Sequence, residues 1–228
     1  MPASATSAPS ILFLGKKDDE RCERAGAFLT HHCPSTVTLF GAWGEKLPQA
    51  ARDWRGDYVI SYLSRWVVPQ SLLDAAAVAA INFHPATPHY PGIGCNNFAL
   101  YEEATEYGVT CHHMAAKVDT GKIIAVDRFP VYPADTVRTV LSRTYDVQLG
   151  LFYRIADAIL TGQPLPESDE TWTRPPFSRK QFDALGVITP EMDADEVRRR
   201  VRATSYGPFQ PYVEVQGHRF KYEPPADV

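Results

Sequence analysis

Short apolar runs separated by segments with helical character constrain the fold more than any other feature of this sequence. Four such runs occupy the N-terminal part of the chain, at residues 11–15, 36–40, 58–62 and 75–83. Asp18 or Asp19 can cap a helix after the first run, and a short helix is predicted from about Gln70. Strands that alternate with helices pair in parallel and need cover on both faces. The chain is therefore predicted to be an α/β protein with a Rossmann-like, mostly parallel sheet and helices on both faces.

The remainder of the chain predicts two further strands and a C-terminal appendage. Strands are expected at residues 108–114 and 122–131, and the apolar face of residues 135–160 predicts the longest helix. From residue 163 the composition shifts to proline, serine and charge, and residues 210–222 alternate around Gly217 like a hairpin. The predicted divisions are a disordered tail at residues 1–10, a main domain at residues 11–162, and a wrapping segment with a small helix and a β-hairpin at residues 163–228.

Two polar side chains end the fourth predicted strand. Strand side chains alternate between faces, so Asn82 and His84 point one way while Ile81 and Phe83 point into the core. Residues 85–95 hold three prolines and two glycines, which predicts a rigid loop, and Asn96 can cap a helix to about residue 106. Ligands of such sheets bind beyond the carboxyl ends of the strands. The loops after residues 14, 62 and 84 are therefore expected to converge on one cleft.

Composition excludes several classes of function. The formal net charge is −4, and no basic run is longer than the three arginines at residues 198–200, so no nucleic-acid partner is expected. No run reaches the roughly 20 apolar residues of a membrane span. Four distant cysteines without a CxxC spacing, and no signal peptide, predict a cytoplasmic protein. The seven histidines show no metal-ligand spacing, so no metal is expected. Neither a GxGxxG nor a GxxxxGK(S/T) motif follows the first strand, so neither a dinucleotide fold with the usual fingerprint nor a P-loop is supported.

A family resemblance rests on several motifs that occur together. In chain order they are Asn82-x-His84, the loop of prolines and glycines, Gly108-Val109-Thr110, His112 and Asp119-Thr120-Gly121. With these motifs, residues 11–131 resemble the formyltransferases that use 10-formyltetrahydrofolate. The resemblance implies a catalytic group of Asn82, His84 and Asp119. The loop of residues 91–98 and the short C-terminal hairpin are most similar to bacterial sugar N-formyltransferases, which act on nucleotide-linked amino sugars.

The chemistry of formyl transfer suits these three residue types. The amide of Asn82 can stabilise the oxyanion that forms when an amine attacks the formyl carbon. His84 can take the proton of the attacking ammonium. Asp119 can hold the imidazole in one charge state and relay the proton to the leaving nitrogen of folate. Each residue alone is more often a satisfied polar group, so the hypothesis depends on the three together.

The resemblance also implies ligand-binding positions. For the folate they are Leu63, Ser64, Trp66, Val118 and Asp119, although Trp66 could instead be a core anchor. For the sugar nucleotide the candidates are glycines that permit close approach, N–H groups at a helix start, a phosphate counter-charge and stacking tyrosines. These candidates are Lys16, Tyr90, Gly92, Gly94, Asn96, Asn97, Tyr206 and Tyr222. A solvated lysine is equally compatible with the sequence, and core packing is the expected role of at least one of the tyrosines.

The sequence therefore predicts an enzyme that transfers a formyl group from 10-formyltetrahydrofolate to a nucleotide-linked amino-dideoxy sugar. The expected substrate is dTDP-4-amino-4,6-dideoxyglucose, for O-antigen or other surface-glycan synthesis. Formyl transfer to another small amine, hydrolysis of formyltetrahydrofolate, and a non-catalytic folate or nucleotide sensor stay open. By resemblance, and because an isolated hairpin must cover its apolar face, a homodimer is expected.

Overall fold

The structure, a computed structural model, describes residues 8–223. The N-terminal elements are β1 (Ile11–Lys16), α1 (Glu20–His32), β2 (Val37–Gly41), α2 (Gln49–Arg52), β3 (Gly56–Tyr62), α3 (Gln70–Leu73) and β4 (Ala76–His84). The later elements are α4 (Cys95–Tyr101), β5 (Glu106–His113), β6 (Ile123–Pro130), α5 (Val137–Leu160), α6 (Arg179–Leu185), α7 (Ala194–Thr204), β7 (Tyr212–Val215) and β8 (His218–Lys221). Every predicted strand is present, and the α/β fold class is confirmed.

The main sheet has six strands in the order β2-β1-β3-β4-β5-β6. The first four pair in parallel, whereas β5 is antiparallel to both β4 and β6. The change of direction follows from the connection between β4 and β5. Its helix, α4, has seven residues and is about 10 Å long, whereas running back along the nine residues of β4 requires about 30 Å. The chain therefore re-enters the sheet from the end at which β4 leaves it.

Helices cover both faces of the sheet, as predicted. On one face α1 and α5 bury the side chains of Phe13, Ile60 and Phe83. On the other face the short helices α2 and α3 lie over Leu12 and Val59. Asp19 caps α1 by accepting hydrogen bonds from the N–H groups of residues 21 and 22. The sheet is thus buried between two apolar layers.

The segment after α5 packs against the loop that follows β4. Ile93 donates a backbone hydrogen bond to the Phe177 carbonyl, and Phe177 donates to the Pro91 carbonyl, at 3.0 and 2.9 Å. The rings of Phe98 and Phe177 stack with centroids 3.8 Å apart. Ser178 caps α6 and Asp193 caps α7. The wrapping segment therefore holds the proline- and glycine-rich loop in place.

Two predicted boundaries are wrong. Residues 1–7 of the predicted disordered tail lie outside the described residues, but Ser10 is anchored, since its N–H and hydroxyl both donate to Asp57 at 2.7 Å. Helix α4 begins at Cys95 and ends at Tyr101, with Gly94 at φ 72° as its N-cap instead of Asn96. The helix ends earlier than predicted because residues 102–105 form the turn that leads into β5, which starts at Glu106. Within residues 8–223, no helix combines the length and the apolar character that crossing a membrane requires.

Candidate active site

The antiparallel pairing of β4 with β5 assembles the polar centre of the site. Asn82 lies opposite His112 in the register, and its Nδ2 is 3.1 Å from His112 Nε2. His84, two residues further along β4, has its Nδ1 3.3 Å from Asp119 Oδ2. The predicted trio of Asn82, His84 and Asp119 is thus brought together, with His112 as a fourth member.

Asp119 lies in the loop between β5 and β6 and is held from three sides. Its Oδ2 accepts a hydrogen bond from the Gly92 N–H at 2.8 Å, and its Oδ1 is 3.5 Å from His112 Nε2. Its backbone φ of 50° is in the left-handed region, which costs conformational energy in a non-glycine residue. Burial raises the pKa of Asp119. The combined effect of His84, His112 and the Gly92 N–H is larger and lowers this pKa to about 2. The carboxylate is therefore charged at every physiological pH.

The partners of His84 determine where its hydrogens lie. Nε2 is 3.0 Å from the Tyr90 carbonyl oxygen, which can only accept, so Nε2 carries a hydrogen. Nδ1 is 3.3 Å from Asp119 Oδ2, so a proton that the pair takes up can lie between these two atoms. The side chain is 5% exposed. His84 and Asp119 therefore form a buried imidazole–carboxylate pair that can hold a proton.

His112 orients Asn82. Its Nδ1 donates to the backbone carbonyl of His113 at 2.8 Å, because a carbonyl oxygen can only accept. When the ring is neutral, the Nε2 lone pair accepts one N–H of Asn82; when the ring is protonated, the Nε2 hydrogen faces Asp119 Oδ1 at 3.5 Å instead. The second N–H of that amide stays available for a ligand. Sequence reasoning included His112 in a motif without a role, because its contact with Asn82 depends on the antiparallel register.

Trp172 of the wrapping segment closes one side of this centre. Its ring meets His84 and His112 edge-on, with centroids 5.8 and 5.0 Å apart, and its Nε1 donates to the Gly121 carbonyl at 2.8 Å. No motif indicated this residue, since a tryptophan in a proline-rich segment has many uses. The contact limits the motion of both imidazoles.

A cavity of about 480 Å³ opens beside the polar centre. Asn82, His112 and Asp119 line it, whereas His84 lies behind Asp119 and does not. Exposed apolar side chains surround it, namely Trp43, Val67, Ile93 and Val118. Of the residues predicted to bind folate, Ser64, Trp66, Val118 and Asp119 line the cavity. Leu63 does not, and its φ of 51° forms the turn that leads Ser64 and Trp66 to it.

Most residues predicted to bind the sugar nucleotide lie away from this cavity. Gly92 lines it, but the close approach that Gly92 permits is to the Phe177 backbone of the same chain, and Gly94 is pressed against Phe182. The Asn97 amide donates to the Ala203 carbonyl of α7 at 2.6 Å, and Asn96 is also buried. Chain packing fills the space beside Gly94, Asn96 and Asn97, so the expected approach of a ligand to these three residues is corrected.

The charged and aromatic candidates are also elsewhere. Lys16 pairs with the α1 cap Asp19 at 2.7 Å and does not reach the cavity, so the loop after β1 contributes no lining residue. Tyr90 is 5% exposed and packs against Tyr107, which corrects its expected role as a stacking surface. Tyr206 lies beneath Arg138 after α7, and Tyr222 follows β8. Neither tyrosine lines the cavity.

The described residues contain no group of three or more His, Cys, Asp or Glu side chains arranged to hold a metal ion. The acidic and imidazole groups of the site bond to one another and to backbone groups instead. A centre built from an amide, an imidazole–carboxylate pair and apolar walls suits acyl-type transfer between organic molecules.

Comparison with known proteins gives the family. A methionyl-tRNA formyltransferase of Lactobacillus acidophilus is 24% identical over 172 residues, which is 74% of this chain and 54% of that protein. A GDP-perosamine N-formyltransferase of Brucella melitensis is 25% identical, over 84% of this chain and 73% of that protein. An N-formyltransferase of Helicobacter canadensis, crystallised with folinic acid and dTDP-3-aminofucose, shares the fold, with a TM-score of 0.70 at 16% identity, covering 92% of this chain and 85% of that one.

The chain thus spans about half the length of the first of these relatives and most of the second. The family model described as "Formyl transferase" matches residues 37–155, which include β4, β5 and the loop with Asp119. Since this match covers more than half of the 228 residues, the chain belongs to the formyl transferase family.

Proposed function

We propose that the protein transfers the formyl group of 10-formyltetrahydrofolate to the amine of a nucleotide-linked amino-dideoxy sugar. The observation that carries the proposal is the arrangement at the cavity. A free amide N–H of Asn82 and the Asp119–His84 pair meet beside walls that are mainly apolar. Family membership supports the formyl transfer. The Brucella GDP-perosamine N-formyltransferase and the Helicobacter complex with dTDP-3-aminofucose support an amino sugar as the acceptor.

The apolar part of the cavity fits the folate. A pterin and an aminobenzoyl ring are flat and aromatic, and the exposed side chains of Trp43, Val67 and Val118 offer surfaces for them. Backbone groups of residues 63–66 and of Val118 and Asp119 would then hydrogen-bond the edge of the pterin. This placement brings the formyl-bearing nitrogen toward Asn82 and Asp119.

The reaction step assigns one task to each polar group. The amine nitrogen forms a bond to the formyl carbon, and the electron pair of the carbonyl moves onto its oxygen, where the N–H of Asn82 stabilises it. The Asp119–His84 pair takes the proton that the amine nitrogen loses. When the bond from carbon to folate N10 breaks, the pair returns that proton to N10. The products are an N-formyl sugar nucleotide and tetrahydrofolate.

The finer elements of the proposal are the substrate and the assembly. We take dTDP-4-amino-4,6-dideoxyglucose as the first candidate acceptor, within O-antigen or other surface-glycan synthesis, and GDP-perosamine as the first competitor, because a relative is named for it. We also propose a homodimer, in which the apolar face of the hairpin β7–β8 is covered by a second copy.

A panel assay tests the function. The protein is mixed with 10-formyltetrahydrofolate and with dTDP- and GDP-linked amino sugars, and the formylated product is measured by mass spectrometry. Replacement Asn82→Ala should lower kcat about 100- to 1,000-fold, as expected for loss of one oxyanion donor. His84→Ala and Asp119→Ala should be comparably impaired.

Two adjacent histidines provide a matched control. His112→Ala should lower kcat by freeing the Asn82 amide, whereas His113→Ala should leave it near the wild-type value because His113 is not part of the cavity wall. Release of formate without formylation of any sugar would contradict the proposal in favour of a hydrolase.

A further inference from the structure

A second cavity, of about 430 Å³, carries an excess of positive charge. Lys46, Arg52 and Arg65 line it, together with a single carboxylate, Glu45. Within residues 8–223, none of these three cations forms an ion pair. The Glu45 carboxylate is already occupied, since it accepts from the Ala42 N–H and approaches Lys17 at 4.0 Å. In a chain with a net charge of −4, three neighbouring uncompensated cations form an electrostatic site for an anion.

This basic cavity adjoins the candidate active site. Arg65, Trp66 and Val67 line both cavities, so the two share a wall in the loop after β3. The Arg65 guanidinium lies over the ring of Trp43, 4.6 Å from its centroid, and Trp43 lines the active-site cavity. A ligand that lies on the exposed face of Trp43 or against Val67 can therefore continue to Arg65 and beyond it to Lys46.

We infer that the basic cavity binds the carboxylates of the glutamyl tail of the folate co-substrate. The inference rests on the proposed function. In a folate the reacting nitrogen is followed by an aromatic ring and then by the glutamate carboxylates. The order of surfaces from the polar centre is the same, with Trp43 and Val67 followed by Arg65, Lys46 and Arg52.

The spacing of the cations favours a tail over a diphosphate. They come from three places in the chain: the loop before α2, α2 itself, and the loop after β3. A series of separate carboxylates, such as a polyglutamyl tail presents, can meet them one after another. A sugar diphosphate is a compact anion next to the reacting sugar and would need its cations at the polar centre. Because the cations are exposed or half-buried, their attraction should weaken as salt screens it.

Calorimetric titration with two forms of one folate tests the inference. The probes are 5-formyltetrahydrofolate with one glutamate and with three, titrated into the full chain at low and at high salt. The wild type should bind the triglutamate about fivefold to tenfold more tightly, since an exposed ion pair contributes up to about 1 kcal/mol. This advantage should shrink at high salt.

The test variant is Lys46→Gln with Arg65→Gln. Arg52 is left in place because its Nε donates a hydrogen bond to the Leu47 carbonyl, so replacing it would also disturb the fold. The control, Arg24→Gln with Lys180→Gln, removes the same charge from exposed residues that line neither cavity. The test variant should bind both folates equally and keep the wild-type KM for the sugar nucleotide, and the control should keep the preference.

Equal binding of the two folates by the wild type would overturn the inference, and so would a preference that persists in the test variant. A raised KM for the sugar nucleotide, with folate binding unchanged, would assign the cations to the diphosphate instead. If both folates bind without regard to tail length, only this inference fails. If neither folate binds, the proposed function fails with it.

Discussion

Asp119 shows how much of the site depends on one residue in an unfavourable backbone conformation. Its left-handed φ is maintained because its carboxylate is held by Gly92, His84 and His112 at the same time. The folded-state pKa of about 2 lies below the ordinary value of 3.8. Such a group stabilises the fold fully above the ordinary value, and the contribution is lost as the pH falls through about 2.

We therefore expect Asp119→Asn to remove a pH-dependent contribution of about 2 kcal/mol to the free energy of unfolding. The comparison is made by urea unfolding of the wild type and the variant at pH 6 and pH 3. The stability difference between the two proteins should shrink by about 1 kcal/mol at pH 3. Asp169→Asn, at an exposed position, serves as the control and should show no such change. A difference that is constant with pH would mean that the carboxylate is not held by its imidazole partners.

At the residue scale, the sequence predicted which residues meet at the polar centre better than which residues line the cavity. Asn82, His84 and Asp119 were recognisable because their order is specific and their residue types match one reaction. Asn97 and Tyr90 were not predictable, because an amide or a phenol at a loop can face a ligand or the chain itself. The deciding partners, Ala203 and Tyr107, are distant in sequence or belong to a strand whose register was unknown.

At the scale of elements, the loop between β5 and β6 depends on close backbone contact. A Cβ on Gly121 would lie 1.8 Å from the His113 carbonyl oxygen, so no larger residue fits without displacing the loop. The same loop supplies Asp119, and the Gly121 carbonyl accepts the hydrogen bond of Trp172. The close contacts of the β5–β6 loop thus link the pairing of β5 with β6 to the position of Asp119.

Replacement Gly121→Ala should therefore destabilise the protein by about 1–3 kcal/mol and lower kcat, because Asp119 moves with the loop. Gly150→Ala is the matched control: Gly150 is exposed within α5, and a Cβ there meets nothing within 4 Å. It should stabilise the protein by about 1 kcal/mol, since alanine favours a helix. Thermal unfolding and turnover measure both effects. Unchanged kcat in Gly121→Ala would show that the loop tolerates the shift.

The periodicity of the sequence was sufficient to predict β5 and β6 as strands but not the directions in which they run. Apolar runs identify β5 as a strand, yet its antiparallel pairing follows from the length of α4, which the sequence placed too far along the chain. Asn96 looked like a helix cap, but Gly94 can adopt a positive φ and starts the helix earlier. That shift turns Asn97 toward α7 instead of a ligand.

At the scale of the whole molecule, exposed apolar side chains concentrate in two places. One group surrounds the active-site cavity. The other lies on or beside the C-terminal hairpin, where Phe209, Val215, Phe220 and Tyr222 are between 39% and 58% exposed. In the β7–β8 register Val213 is opposite Phe220, so Val213, Val215 and Phe220 share one face. The other face is polar, with Arg219 over the ring of Tyr212.

An apolar face of this kind on a two-stranded hairpin is stable in water only when something covers it. A second copy related by a two-fold axis would cover it with the same face. We expect light scattering to report a dimer of the full chain at micromolar concentration, and Val215→Thr with Phe220→Thr to give a monomer with an unchanged circular dichroism spectrum. Threonine retains the strand preference while removing apolar surface. Glu214→Thr, on the opposite face, should remain dimeric. A wild-type monomer, or a dimer that survives the double replacement, would assign the exposed face to another partner.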